Sequence, residues 1–503
     1  MILLSANRSC RKTDQAGKSK SRRNWELSAA ALNGILPSTM TTPIPMRTDH
    51  DSLGPRAVPA DALYGAHTSR SIESFRLSGS PLPIEIIHGM ALLKLACAQA
   101  NAQLGRLPTD KEQAITKACH TVLSGKLDDE FPIDLYQAGS GTSSHMNLNE
   151  VLAHLANEAL GGKRGATSPV HPNDDVNMGQ STNNVFPSGA KIALLGQALL
   201  LVDALAALEK VLRAKAAEFT SVLKTGRTHL QDAVPVSLGQ EFGAWAHAIR
   251  CAASRIREAT DYLKELGIGG NAVGTGINTP SAFRSHIITA LNTATDGTFR
   301  SARDGVYITQ FMTDFAQVSA AFRSCALDLQ QIANNLRLLA SGPNTGLGEI
   351  RLPPVEPGSS IMPGKINPSI CEAVNMVCMQ VQGLDHAVAI ACGAGQLELN
   401  THMPLIGANA LQEAKLLSAA ARVLAEKCIV GIEANETTCR QNLERSAGLA
   451  TLLNPQLGYD RVAQLVAEGL ATGKTLRELV IEKDLLTEAD YDKLLAASTA
   501  PNL

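Results

Sequence analysis

Apolar residues between Ala190 and Phe219 recur at helical spacing, with Leu194, Leu195, Ala198, Leu201, Leu205 and Leu208 along one side. Four more long runs follow the same rule: Gly239 to Leu266, Tyr307 to Ala340, Pro368 to Cys392 and Pro404 to Val430. Helices of that length exceed the globular average and ordinarily lie side by side in a bundle. A long helix with more than one apolar face also points to self-association, because one bundle cannot bury every face. Ahead of these runs, Val58 to about Pro187 mixes short helical patterns with Gly- and Pro-punctuated loops. Beyond Asn454 the helical patterns are shorter, and Thr487 and Asp490 have capping-box spacing. The pattern predicts a mainly α chain: a central bundle of long helices over 188–445, with smaller helical domains at 58–187 and 446–503.

Composition agrees. Aromatic residues make up only 4% of the chain, so its core must be built from Leu, Ala, Ile and Val, which suits helices better than sheets. The net charge of −2 gives no sign of a nucleic-acid or membrane-surface partner. No run of about 18 uninterrupted apolar residues appears, so no transmembrane helix is expected. The ten cysteines have no C-x-x-C spacing and read as reduced thiols of a cytoplasmic protein. The first residues differ in kind. RSCRKTDQAGKSKSRRNW is basic and polar, a composition shared by transit peptides and disordered tails. The tail is the preferred reading, since Met40 or Met46 would start the chain just before the patterned region. Residues 1–57 are therefore expected to be a disordered, dispensable extension.

Four polar clusters interrupt the helical scaffold: GSGTSSHMN, HPNDDVNMGQSTNN, TGRTHLQD and GSSIMPGKINP. Polar, Gly-rich loops on rigid helices are where chemistry is usually placed. GSSIMPGKINP, residues 358–368, resembles the signature loop of the fumarase/aspartase superfamily. The other clusters resemble that family's remaining active-site segments, in the family's order. The resemblance runs from Val58 to the C-terminus. It implies a helical-bundle fold and a homotetramer whose active sites are each shared between three subunits. It further implies a small dicarboxylate substrate, fumarate as the common product, and no cofactor or metal.

Removing a proton beside a carboxylate loads two negative charges onto its oxygens, so such a site needs one base and several fixed donors or cations. The resemblance implies these roles residue by residue. Ser359 matches the catalytic base, activated by backbone amides and nearby positive charge. Lys365 and Asn367 match the residues that hold the reacting carboxylate. Thr228 and His229 match its second side, and Glu372 matches the acid that pairs with this His in fumarases. Ser140, Thr142, Ser181, Thr182 and Asn183 match the pocket for the other carboxylate, and His171 a second, non-catalytic dicarboxylate site. His145 is a departure, standing where the family usually has Asn.

The leaving group is the finer question. QSTN, GTS, DLYQ, YGAHT, DAVPVSLGQEF, GQLELN and EKCIVGI are similar to aspartate ammonia-lyases; HPNDD, GSGT and ICEA are similar to class II fumarate hydratases. By count, the expected reaction is loss of ammonia from L-aspartate, with loss of water from L-malate as the alternative. Asn-Thr-His-Met-Pro at 400–404 lacks the acidic residue that aspartases place before that proline. An inactive helical scaffold is the reading from another class; a competent residue at every acid–base position argues against it.

Overall fold

A computed structural model describes residues 45–358 and 361–499. Its long helices are α1 (Ile84–Gln103), α2 (Thr142–Ala159), α3 (Thr182–Glu218), α4 (Leu238–Ala259), α5 (Thr313–Leu339), α6 (Ser369–Gly393) and α7 (Met403–Lys427). The bundle is built from α3 to α7: α3 packs on α4 and α7, α5 on α4 and α6, and α6 on α7, while α1 lies against α3. Leu194, Ala198, Leu201, Leu205 and Leu208 of α3 are fully buried in its core, as their spacing predicts. A separate apolar core joins Leu443, Leu453, Leu465, Leu479 and Tyr491 near the C-terminus, where Asp490 N–H donates to Thr487 Oγ1 at 3.2 Å in the expected cap.

Several boundaries differ from the periodicity. The helix expected from Ala190 starts at Thr182, because Ser181 is extended and its side chain accepts from Asn183 N–H. At about 1.5 Å per residue, α3 is about 55 Å long. By length and composition α3 is long and apolar enough to cross a membrane, which the rule of an uninterrupted run had excluded. Polar residues such as Lys191 and Asp203 interrupt the run. Lys191 is buried and pairs at 2.5 Å with Asp314. The run expected from Tyr307 to Ala340 is broken: a short helix, Gly305–Gln310, is capped by Asp304, Phe311 is extended, and α5 restarts at Thr313 with Asp314 in its first turn. The run from Gly239 ends at Ala259, beyond which Glu265–Leu266 pairs with Arg300–Ser301.

Residues 46–57 correct the expectation of a featureless extension. They form two strands, β1 (Met46–Asp51) and β2 (Gly54–Pro59), of one small sheet. Arg47 and Pro59–Asp61 belong to a small unit in which Ala60 N–H donates to Pro45 O and Arg47 Nη1 to Pro59 O. Within the main unit, Arg70 Nε donates to Asp51 Oδ2 at 2.8 Å and Arg56 Nε to Ser69 Oγ at 3.0 Å. Charged residues that read as a solvated tail are thus used as pins. The basic segment ahead of residue 45, and Cys10 within it, lie outside the described residues; the nine described cysteines are free thiols.

One buried acid in the bundle yields a prediction. Ser319 Oγ lies 2.9 Å from Asp385 Oδ1 and 2.9 and 3.0 Å from the two oxygens of Glu413. A hydroxyl has one proton and cannot donate to both acids. The arrangement is satisfied if protonated Glu413 donates to Ser319 and Ser319 donates to Asp385. Burial pushes Glu413 up to about 9, against its hydrogen bond to Ser319 and with help from the Asp385 charge. Its folded value lies above the unfolded one, so its contribution is full below the usual carboxylate value and is lost as pH rises toward 9. Glu413→Gln should therefore raise the denaturation midpoint at alkaline pH and flatten the decline between neutral pH and 9. Urea titrations across that range check this; an unchanged slope in the variant would refute it.

Candidate active site

Two helix N-termini form one part of the site. Gly139–Gly141 is a tight turn leading into α2, with Ser140 at φ 62° and Gly141 at φ 85°. A Cβ on Gly141 would sit 2.2 Å from the Phe186 ring, so α2 and α3 approach closely only because that residue is glycine. Ser140 is buried, with Oγ 3.3 Å from Thr142 Oγ1, and its N–H donates to Thr401 O at 2.9 Å. On α3, Ser181 caps the helix, Thr182 Oγ1 lies 2.7 Å from His145 Nδ1, and Asn183 Nδ2 donates to Ala272 O at 2.7 Å. The five residues predicted for one carboxylate pocket thus sit at the N-terminal ends of α2 and α3, and His145 on α2 bonds to Thr182 on α3. Helix N-termini present unpaired N–H groups and a positive dipole end, which suits an anion.

A hairpin forms the second part. Strands β3 (Leu223–Thr228) and β4 (Gln231–Ser237) pair antiparallel, with Thr228 opposite Gln231. The turn is His229–Leu230, and both residues have positive φ, 57° and 58°. Turns of this shape normally use Asn or Gly. Holding two such side chains there costs roughly 1–3 kcal/mol each, and strain of that kind gathers at functional sites. Thr228, His229 and Leu230 are exposed at the tip.

The hairpin is anchored by groups that sequence reasoning missed. Glu349 is fully buried, and Arg227 grips it with two hydrogen bonds, 2.8 and 3.1 Å. Lys224 Nζ lies 3.2 Å from the same carboxylate and 2.8 Å from Glu241, and Asn442 Nδ2 donates to Glu349 at 3.1 Å. Burial alone would raise Glu349, but the Arg227 hydrogen bonds and the Lys224 charge hold it below the usual carboxylate range. Arg227 stands inside the TGRTH cluster; Glu349 carries no local signal, being 122 residues away.

The third part is the signature loop. Ser359 lies outside the described residues. Its flanks are tightly drawn: Asn367 Nδ2 donates to Gly358 O at 2.6 Å, and a Cβ on Gly358 would meet Lys365 O at 1.9 Å. Asn367, expected to aim its donors at substrate, thus spends one on closing the loop. Lys365 is exposed. Glu372, expected to pair with His229, is 3.8 Å from Arg337 on α5 within the chain. Among the described residues, no hydrogen bond or ion pair joins Thr228, His229, Lys365 or Glu372 to the α2–α3 cluster.

His171 caps its own turn. Its Nδ1 accepts from Asn173 and Asp174 N–H at 3.2 Å each, ahead of a π-helical turn at Pro172–Val176. A nitrogen that accepts two N–H groups carries no proton, so Asp174 Oδ2, 3.4 Å away, is a neighbour rather than an ion pair. Only Nε2 is left to donate to a ligand.

Residues 54–383 match the model of a family described as Lyase, and residues 449–499 that of the Fumarase C C-terminus. The chain is a lyase of the fumarase/aspartase superfamily. This lyase is 45% identical over 448 residues to a class II fumarate hydratase of Thermosynechococcus vestitus, covering 89% of the chain and 96% of the relative. It is 42% identical over 472 residues to an aspartate ammonia-lyase of Corynebacterium glutamicum, covering 93% of the chain and 90% of the relative. In structure it resembles a fumarate lyase:delta crystallin of Brucella melitensis bound to cobalt, with a TM-score of 0.88 and 44% identity over 90% of the lyase and 99% of that chain.

Proposed function

We propose that this lyase interconverts L-malate and fumarate by anti elimination of water through an aci-carboxylate. Ser359 removes the proton beside one carboxylate, which Lys365, Asn367 and Thr228 hold. His229 protonates the departing hydroxide. Ser140, Thr142 and Ser181–Asn183 hold the other carboxylate. The residue motifs, counted alone, favoured ammonia loss; the class II fumarate hydratases among the similar proteins support water loss instead.

The observation that carries this reading is the segment against Ser140. Thr401 O accepts from Ser140 N–H, and a Cβ on Gly139 would lie 2.9 Å from the Thr401 side chain. This stretch, Asn400 to Pro404, contains no acid. Aspartate carries an ammonium that a carboxylate there would hold, whereas the hydroxyl of malate needs no counter-charge. The second reading, ammonia loss from L-aspartate, draws on relatives such as the aspartate ammonia-lyase of Pseudomonas fluorescens, 44% identical over 461 residues.

The same reading makes the working unit a homotetramer with sites shared between three subunits. Large apolar residues exposed on the bundle helices, among them Leu199, Leu200, Met376, Met379 and Ile390, support it. So does the position of Thr228, His229, Lys365 and Glu372, none of which is joined by a hydrogen bond or ion pair to the α2–α3 cluster among the described residues of one chain. Parallel assays of fumarate formation at one pH test the substrate: kcat/KM for L-malate should exceed that for L-aspartate by at least about a hundredfold. A ratio favouring aspartate would reverse the choice of leaving group.

A further inference from the structure

None of Ser140, Thr142, Ser181, Thr182 and Asn183 carries a charge, but a buried polar layer lies beside them. Lys94 on α1 is fully buried and donates to Asn177 Oδ1 at 2.8 Å; Asn177 Nδ2 donates to Gln180 O at 3.3 Å, one residue before Ser181. His145 on α2 is 1% exposed. Its Nδ1 meets Thr182 Oγ1, and its Nε2 is buried with no hydrogen-bond partner. Burial first, and the Lys94 charge second, hold His145 well below its ordinary range, so the ring is neutral.

A neutral imidazole and a hydroxyl share one contact in either of two ways. If Thr182 O–H donates to Nδ1, the hydroxyl turns lone pairs toward the pocket and repels a carboxylate. If Nδ1–H donates to Oγ1, Thr182 keeps its own proton for the ligand. Only the second arrangement serves anion binding, and it orients the hydroxyl before the ligand arrives.

We propose that His145 is a positioning residue for Thr182, donating Nδ1–H to Oγ1 so that the Thr182 hydroxyl points its proton at the substrate's second carboxylate. This rests on the dicarboxylate reading above. His145 touches no reacting atom; it sets the strength and selectivity of that subsite. An Asn side chain places its amide N–H close to where His carries Nδ1, so His145→Asn should preserve the function that His145→Ala loses.

The test compares the parent, His145→Ala, His145→Asn, Thr182→Val and the His145→Ala/Thr182→Val double variant. Malate turnover gives kcat and KM; calorimetric titration with succinate, which has two carboxylates and no leaving group, gives affinity without turnover. His145→Ala should raise KM and the succinate Kd about tenfold, the loss of one charge-assisted hydrogen bond, with kcat nearly unchanged. His145→Asn should stay close to the parent, and the double variant should be no worse than Thr182→Val alone. Unchanged succinate affinity in His145→Ala, additive losses in the double variant, or His145→Asn as weak as His145→Ala would each overturn the proposal. If the parent turns over neither malate nor aspartate yet binds succinate in a His145-dependent way, the lyase reading fails and this one stands. A parent that turns over malate but does not bind succinate overturns this proposal and leaves the lyase reading standing; one that does neither overturns both.

Discussion

Ser359→Ala is expected to lower kcat by roughly a thousandfold or more, the usual scale for losing the group that moves the proton. Serine is a weak base unless its alkoxide is stabilised, which is the part we propose for the backbone amides and Lys365 of the signature loop. Gly358 allows the backbone to close to van der Waals contact with Lys365, and Asn367 ties the two ends of the loop together at 2.6 Å. Gly358, Lys365 and Asn367 make those contacts and are unchanged in the variant, so melting temperature and oligomeric state are expected to stay at the parent's values. The measurement is fumarate formation alongside thermal melting. Turnover within about tenfold of the parent would remove Ser359 from the mechanism. The same variant tests shared sites. Unfolded and reassembled with an inactive His229→Asn variant, it should regain part of the parent activity, because some mixed sites then receive both native residues. Confirmed mixed oligomers with no recovery would count against subunit sharing.

The second large effect is expected far from the substrate. Glu349→Gln leaves Arg227 and Lys224 buried around a neutral amide. Breaking a buried ion pair on one side costs about 3–5 kcal/mol, since the remaining charge loses its partner. Lys224 keeps Glu241 at 2.8 Å, so Arg227 bears most of the loss. Because Arg227 lies one residue before Thr228, the damage should reach the strained His229–Leu230 turn as well as the fold. Activity should fall more than the loss of folded protein explains. The pH dependence has a definite sign. Glu349 is held below its unfolded value, so its contribution is complete above the usual carboxylate range and is lost as pH falls through the depressed value. Denaturant midpoints measured from neutral to strongly acid pH should show the parent losing stability on the acid side and the variant losing less. A variant within about 1 kcal/mol of the parent at neutral pH would show that the network contributes little.

Much of this molecule is legible along the chain. Helix positions follow from apolar spacing, a local property that needs no knowledge of neighbours. The polar clusters stand out against that background, and the residue-type pattern from Gly358 to Pro368 is specific enough to point to a chemistry. Boundaries were less legible: the broken helix before Thr313 and the early start at Thr182 depend on capping and on partners such as Asp314 with Lys191, which periodicity does not register. Residues 46–57 misled for a related reason, since Arg and Asp read as solvated until Arg70 and Asp51 are seen to pair.

What only the tertiary structure decided is which side chains meet. Nothing at position 349 marks a carboxylate that anchors a hairpin 122 residues away, and nothing at position 145 predicts a contact with Thr182, 37 residues on. Glu413 looks like any helical glutamate until Asp385 and Ser319 are packed against it. The sequence by itself determined where helices form and which loops carry polar chemistry, because propensity and periodicity act over a few residues. Pairings between distant segments arise only when packing removes water and forces buried charges and hydroxyls to find partners, and that depends on the whole arrangement at once.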